Sequence, residues 1–332
     1  MHSFLLNAVP VVVVGLLVAA VLRARREPLW AEAFRRLRRN RVAMVALCVI
    51  GIYGLIGFMD SIGWQRDDAR VTVIDWLFQR PRERTYSAPL ATMTTGEPRP
   101  HKLLGRHLLG TDGVGDDVLY LTLKGVRTGL IVGGFTSLIV TPLALLFGML
   151  AGYFGRRVDD VVQYIYTVLD SIPGILLLIA LMMVLGRGLV QLCVALGVTS
   201  WVGLCRLMRG ETLKHRDREY VRAARALGVG HARILARHIL PNLLPVLIIQ
   251  VTLGFSGLVL AEAILSYLQL GVEAGVGSWG NMIDAARMEL AREPIIWWNL
   301  VSASTALFIL VLAFNLFGDA LRDAIDPRLR SS

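Results

Sequence analysis

An all-α, polytopic membrane fold with about seven transmembrane helices is what this sequence predicts, on three observations. Of its 332 residues, 55% are hydrophobic and only 18% charged, and its mean hydropathy of +0.58 is far above that of a water-soluble domain. Seven stretches are long and apolar enough to cross a hydrocarbon core about 30 Å thick, which takes about 20 residues of helix because no backbone group can stay unpaired in lipid. The cations, finally, cluster in alternate connecting segments, the asymmetry that orients a polytopic chain.

The first stretch, Phe4 to Leu22, follows a leader, Met1-His2-Ser3, without Arg or Lys. Its apolar core is longer than the roughly 7 to 15 residues of a secretory signal, so it is read as a retained span. A basic linker, Arg23 to Arg41, leads into the second span, Val42 to Met59. A long segment then runs from Asp60 to about Arg127, rich in Pro and polar residues up to His107 and ending in a short amphipathic stretch, Asp116 to Arg127. The third span, Leu130 to Phe154, turns through Arg156 and Arg157 into the fourth, Val161 to Leu185, which is followed closely by the fifth, Leu189 to Cys205. After a second long segment, Arg206 to Asn242, come the sixth span, Leu243 to Glu262, and the seventh, Asn299 to Phe317. Gly and Pro inside the third, fourth and sixth are better tolerated in lipid than in water. There is no internal repeat or low-complexity tract.

The net charge of +10 comes from 35 Lys and Arg against 25 Asp and Glu, and all the cations but Lys102, Lys124 and Lys214 are arginines. Eight arginines lie in Arg23 to Arg41, nine Lys or Arg in Arg206 to Asn242, and further arginines at Arg156, Arg157 and in the tail after Phe317, together 22 of the 35. The positive-inside rule then puts the N-terminus outside and the C-terminus in the cytoplasm. The surplus is therefore an orientation signal and a membrane-lipid contact, with no nucleic-acid footprint. Trp279, Trp297 and Trp298 lie near the outer ends, where an interfacial belt and core packing are both open readings. Cys48, Cys193 and Cys205 sit in apolar runs without metal or disulfide spacing and are taken as packing residues.

Several chemistries are excluded. None of the three lysines follows a Gly, so the chain lacks the phosphate-binding loop of an ATPase. His-Glu-x-x-His, Gly-x-Ser-x-Gly and clustered Cys/His spacings are absent too, which leaves no catalytic residue, metal site or cofactor to assign. Ion coupling calls for ionisable groups within the spans, and only Asp170, just before Ser171-Ile172-Pro173, and Glu262, read as interfacial, qualify. Asp170 is either a gate or pathway residue or a structural carboxylate paired with an Arg.

The segment from Arg206 to Asn242 carries the most information. Ala, Arg and Leu favour helix from Glu219 to Leu227; Gly228 and Gly230 stop it, and a second helix runs from His231 to Leu240 until Pro241. Small Ala223 and Ala224 would let another protein approach the first helix closely, with arginines to pair with an acidic rim. A basic helix pair on anionic lipid is the competing reading. A DNA-binding helix-turn-helix fits poorly so close to two spans.

Tyr220-Val221-Arg222-Ala223-Ala224-Arg225-Ala226-Leu227-Gly228, followed by His238-Ile239-Leu240-Pro241-Asn242, resembles the EAA loop of binding-protein-dependent ABC importer permeases, in the dipeptide, oligopeptide and nickel branch. Further blocks are similar and in the same order: Leu109-Gly110-Thr111-Asp112 with Gly115 and Asp117-Val118-Leu119; Gly152-Tyr153-Phe154-Gly155 with Asp159; Asp170-Ser171-Ile172-Pro173; Glu262 with Leu265-Ser266-Tyr267-Leu268; Gly271-Val272; Ser278-Trp279-Gly280-Asn281; and Arg322-Asp323-Ala324-Ile325-Asp326-Pro327. The resemblance covers roughly residues 105 to 328.

It implies a type I importer permease core with one extra N-terminal span, in a bacterial inner membrane. The permease would pair with a second permease, two ABC ATPase subunits and an extracytoplasmic solute-binding protein, importing peptides or related solutes. It also implies that Tyr220, Arg222, Ala223, Ala224, Leu227, Gly228, His238 and Pro241 meet the ATPase, with Pro241 stopping the second helix, and that Asp170, Ser171 and Pro173 lie on the translocation path. The chain then divides into an extra span and basic linker (1–41), a first core span with an extracytoplasmic segment (42–129), and a permease core (130–332) with its coupling loop (206–242). Arg222 stands where the general motif has Glu, His238 where Ile is frequent, and Asp116 where Arg is usual, which puts charge pairing around Asp116 in doubt. The rival readings are an ion-coupled transporter or channel working without an ATPase, and a membrane-anchored protein whose basic loop binds lipid.

Overall fold

Apolar runs become helices where a cap or a helix breaker bounds them, and the computed structural model, which describes residues 15, 28–66, 69–79, 81–96, 100–273 and 275–325, shows where each boundary falls. The first expected span, Phe4 to Leu22, lies outside the described residues apart from Gly15. Helix α1 (Pro28–Arg39) is the basic linker, and Asn40 starts α2 (Arg41–Ser61) by accepting hydrogen bonds from the Val42 and Ala43 amides at 3.0 and 3.2 Å. The 21 residues of α2 make a rod of about 31 Å, one hydrocarbon thickness.

The segment after α2 is the one non-helical part of substance among the described residues. Strands β1 (Gly63–Arg66) and β2 (Ala69–Thr72) pair antiparallel, with Gly63 opposite Thr72. Thr72 and Asp75 then form a reciprocal capping box that begins the short helix α3 (Val73–Phe78). Isolated bridges join Ser87 to Thr111, Met93 to Lys102 and Thr111 to Asp117.

Asp117 caps the next helix by accepting from the Tyr120 amide, and α4 (Val118–Phe154) runs for 37 residues without interruption. The amphipathic stretch and the third span are thus one helix, longer than the membrane is thick, and Pro142 is accommodated within it. The fourth span is not straight: α5 (Arg156–Asp170) and α6 (Gly174–Leu185) meet at 82°. Pro173 has no amide hydrogen to continue the ladder and instead starts α6, its carbonyl accepting from Leu176 and Leu177.

Helices α7 (Leu189–Thr199) and α8 (Trp201–Arg216) follow, joined at Ser200. Beyond α9 (Glu219–Ala226), the chain rises through α10 (His231–Ile234), a π-helical turn (Leu235–Ile239) and α11 (Leu240–Tyr267). Here an expectation is corrected, since Pro241 does not stop the second helix. In the π turn the Leu240 amide reaches back to Leu235, and this wider winding absorbs the donor that Pro241 lacks. Helices α12 (Trp279–Glu289) and α13 (Trp298–Ile325) complete the chain. Among the described residues five helices are long and apolar enough to cross a membrane, or six with the bent pair counted as one span.

The chain forms two compact units, residues 1–132 with 259–332, and 133–258. In the first, α13 packs along α2, α1 and α12, and the Tyr53 hydroxyl donates to the Ala306 carbonyl at 2.8 Å. Trp279 and Trp298 are core residues here, their indole N–H groups donating to Thr122 and Thr111 carbonyls, while Trp297 is half exposed as a belt residue would be. Glu262 is corrected from interfacial to buried, 1% exposed, accepting from Ser266 and Ser278 at 2.7 Å each. The second unit is built on small residues: Gly148 and Gly152 of α4 leave room for the α8 backbone, where a Cβ would come within 2.8 Å of the Cys205 carbonyl and 2.7 Å of the Arg209 carbonyl. Cys193 and Cys205 are buried there as packing residues, whereas Cys48 of the first unit is exposed on α2.

Candidate functional site

The loop from Arg206 to Asn242 folds as an elbow whose inner face is apolar. Val221 and Ala224 of α9 and Ile234 of α10 join Ile239, Leu243 and Leu247 in one buried cluster with Tyr153 of α4 and Met208 of α8. The turn itself requires glycine. Gly228 adopts φ +75°, and the Val229 amide reaches the Ala224 carbonyl while that of Gly228 reaches Arg225, the Schellman arrangement that closes a helix.

Ala224 therefore does not lie on the open face: it is 6% exposed and turned into the cluster. Glu219, Tyr220, Arg222, Ala223, Arg225, Ala226, Leu227 and Gly228 are exposed. Leu227 is 83% exposed. Tyr220 stands at the edge, its hydroxyl 2.9 Å from Nδ1 of His215. His238 is half-buried in the π turn, and Pro241 is exposed at the start of α11.

Tyr153 ties the elbow to the core helix. The Arg225 guanidinium lies 4.8 Å over its ring and its Nε donates to the phenolic oxygen at 3.3 Å, while the same oxygen is 2.8 Å from His231 Nδ1. Accepting from Arg225 leaves the phenol free to donate to His231, so one buried hydroxyl holds both arms of the elbow. Beside it, Arg209 of α8 grips Asp159 of α5 with two parallel bonds of 2.5 and 2.6 Å. That fork geometry fixes orientation as well as charge.

The Asp170-Ser171-Pro173 group occupies the bend between α5 and α6. Asp170 pairs with Arg206 at 2.7 Å, both half exposed, and the same guanidinium stacks over Tyr166 at 4.8 Å. Ser171 closes α5 and returns its hydroxyl to the Val168 carbonyl. Of the two readings open for Asp170, the fold supplies the arginine partner, and it gives Glu262 two serine donors.

Within the second unit lies a cavity of about 270 Å³ lined by α4, α8 and α11 residues together with Ser200. Ser137, Thr141, Ser200 and Gln250 supply its polar groups, and Gly203 and Gly254 its open walls. Asp170, Ser171 and Pro173 are not among its lining residues. Sequence reasoning missed these positions, although a lone Gln inside the apolar run Leu243 to Glu262 was a usable signal.

The 62–117 segment is held by buried charge. His107, fully buried, has Asp117 2.7 Å from Nδ1 and Glu83 3.2 Å from Nε2. Asp116 is paired after all, accepting two bonds from Arg82 at 2.7 and 2.9 Å. Burial pushes the Asp75 carboxyl up, but hydrogen bonds from Lys124, Thr72 and Tyr120 outweigh it and hold the group below the usual carboxylate range.

The chain is similar to known transport permeases. Residues 144–331 match the family described as the binding-protein-dependent transport system inner membrane component. Residues 28–66 match the N-terminal TM domain of oligopeptide transport permease C. The chain is similar to the oligopeptide transport system permease protein OppC of Bacillus subtilis, with 32% identity over 302 residues, 91% of this chain and 90% of that one. It is also similar to the dipeptide transport system permease protein DppC of the same organism, with 34% identity covering 90% of this chain and 86% of that one. Among solved structures, a chain of an inward-facing form of the MetNI methionine ABC transporter shares the fold, with a TM-score of 0.51 and 21% identity over 63% of this chain and 98% of that one.

Proposed function

Since the chain belongs to the family of binding-protein-dependent transport inner membrane components, we propose that it is the membrane-spanning permease subunit of an ATP-driven importer for peptides or related small solutes. ATP hydrolysis resides in two separate ATPase subunits. A second permease completes the path, and an extracytoplasmic binding protein delivers the solute. In this reading the loop 206–242 is cytoplasmic, as is the C-terminus, and the 62–117 segment is extracytoplasmic. Residues 1–41 form the extra span and basic linker, 42–129 the first core span and outer segment, and 130–332 the permease core.

The observation that carries the proposal is the elbow. An exposed leucine and a row of arginines stand on a two-helix support whose other side is wedged into the core by Val221, Ala224 and Ile234. A surface docked there moves α9 and, through Arg225 and Tyr153, the end of α4. Arg222, Ala223, Leu227 and Gly228 make the contact, Tyr220 and His238 flank it, and Asp170 with Ser171 and Pro173 borders the inner part of the path.

Gly228→Asp tests it. A Cβ at Gly228 meets nothing within 4 Å, so the substitution adds charge to the docking face without a clash inside the permease. The positive φ is strained for most side chains but tolerated by Asn, which makes Gly228→Asn the backbone control. Gly228→Asp is expected in the membrane at normal level, without copurifying ATPase and without uptake. Normal uptake with this variant would refute the coupling role.

A further inference from the structure

We infer that the cavity bounded by Thr141, Ser200 and Gln250 is a solute-contact site that binds the backbone amides of a peptide in transit, whatever its side chains. The inference rests on the peptide-importer reading above and adds to it a place and a chemistry.

Depth comes first. Thr141 lies 13 residues from the end of α4, roughly 20 Å along the axis, and Gln250 lies 10 residues into α11, roughly 15 Å. Both fall inside apolar runs, Leu130 to Phe154 and Leu243 to Glu262, of helices long and apolar enough to cross a membrane. At that depth a hydrogen-bonding side chain with no partner is costly. Ser137 meets its need by donating to the Gly133 carbonyl. The side chains of Thr141, Ser200 and Gln250 have no hydrogen-bond partner among the described residues, yet all three converge on one cavity. Water or solute must satisfy them.

The space is kept open by sequence. Gly203 and Gly254 line it, and a Cβ built on either meets nothing within 4 Å. These glycines contrast with Gly148 and Gly152 of the same unit, whose missing side chains let α8 approach. At about 270 Å³ the cavity far exceeds the roughly 10 to 15 Å³ that one water needs.

The lining names the ligand class. It contains no Asp, Glu, Lys, Arg or His, and Asp170 and Arg206 pair with each other. Gln offers amide donors and a carbonyl acceptor, and Ser and Thr hydroxyls do both. That set matches the alternating N–H and C=O of a peptide main chain and is indifferent to side-chain charge.

The test uses the complete importer, with both permeases, ATPases and binding protein, in proteoliposomes. The probes are labelled Ala-Ala-Ala, Ala-Lys-Ala and Ala-Asp-Ala. The unsubstituted importer should take up all three at comparable rates. Gln250→Glu places a negative charge in the cavity and should shift the uptake ratio of Ala-Lys-Ala to Ala-Asp-Ala about tenfold toward lysine. Thr141→Asp should shift it the same way, and because a ratio is read, neither result depends on how much protein inserts. If either variant fails to insert, the other decides. An unaltered ratio, with Ala-Ala-Ala still transported, overturns the contact site and leaves the importer reading intact. No tripeptide uptake by the unsubstituted importer overturns the peptide reading and this site with it.

Discussion

Replacing Leu227 by Ala separates docking from folding. Leu227 is 83% exposed and belongs to neither buried cluster of its unit, so the permease alone loses almost nothing when its side chain is shortened. If the elbow is the docking surface proposed above, the ATPase covers the same side chain in the assembled importer. Three carbons withdrawn from an apolar contact cost about 2 kcal/mol, which is roughly a 30-fold rise in Kd for the ATPase subunit. The measurement is titration of the purified ATPase onto the permease pair in lipid nanodiscs, with thermal unfolding of the permease recorded alongside. The expected pattern is weakened association with an unchanged unfolding midpoint. Val221→Ala should behave in the opposite way: Val221 is fully buried against the core, so its truncation costs roughly 2 kcal/mol of permease stability. If Leu227→Ala binds the ATPase with undiminished affinity, the exposed face of α9 is not the docking surface.

Other consequences can be checked separately. Tyr153→Phe removes the oxygen that holds Arg225 and His231 but keeps the ring beneath the guanidinium; ATPase should still bind while peptide uptake per ATP hydrolysed falls severalfold, measured in proteoliposomes. Gly152→Leu drives a side chain into the Arg209 carbonyl and Thr212 and should prevent stable accumulation, whereas Gly254→Leu has open space to enter and should accumulate normally yet block uptake; immunoblots of membranes beside transport assays distinguish the two. Burial, with the nearby Asp112 charge adding to it, raises the Glu289 carboxyl above its usual range against the opposing hydrogen bond from Asn299. The folded state therefore holds that proton more tightly than the unfolded state, and stability falls as pH rises from the ordinary glutamate value toward the raised one. Glu289→Gln should raise the unfolding midpoint at neutral pH and make its decline between pH 4 and 8 shallower.

The comparison of expected and observed elements divides along a physical line. The second and seventh spans were legible because a hydrophobic run needs no tertiary information to be driven into lipid, and the helix–glycine–helix elbow was legible because Gly228 and Gly230 are local signals. Pro241 was read as a helix stop, yet the helix runs through it, whereas Pro173 marks the bend within the fourth span. A π turn that lets a helix continue past a proline depends on the packing of Ile234, Ile239 and Leu243, which no local propensity encodes. Ala224 was placed on the open face because alanine is small, yet the direction of a helix face is set by what packs behind it. Glu262 looked unpartnered because its serines are four and sixteen residues away.

By itself, then, the sequence determined that the chain lives in a membrane, where most of its helices lie, that no lysine follows a glycine as in a phosphate-binding loop, and which loop carries the family's motif. These follow from composition, periodicity and short motifs, each readable within a single stretch of chain. Only the tertiary structure decided which side of the elbow is exposed, which buried charges find partners, and that Thr141, Ser200 and Gln250 share one cavity. Those are relations between residues from four to more than a hundred positions apart, fixed by helix packing at glycine contacts and by the need to satisfy polar groups away from water.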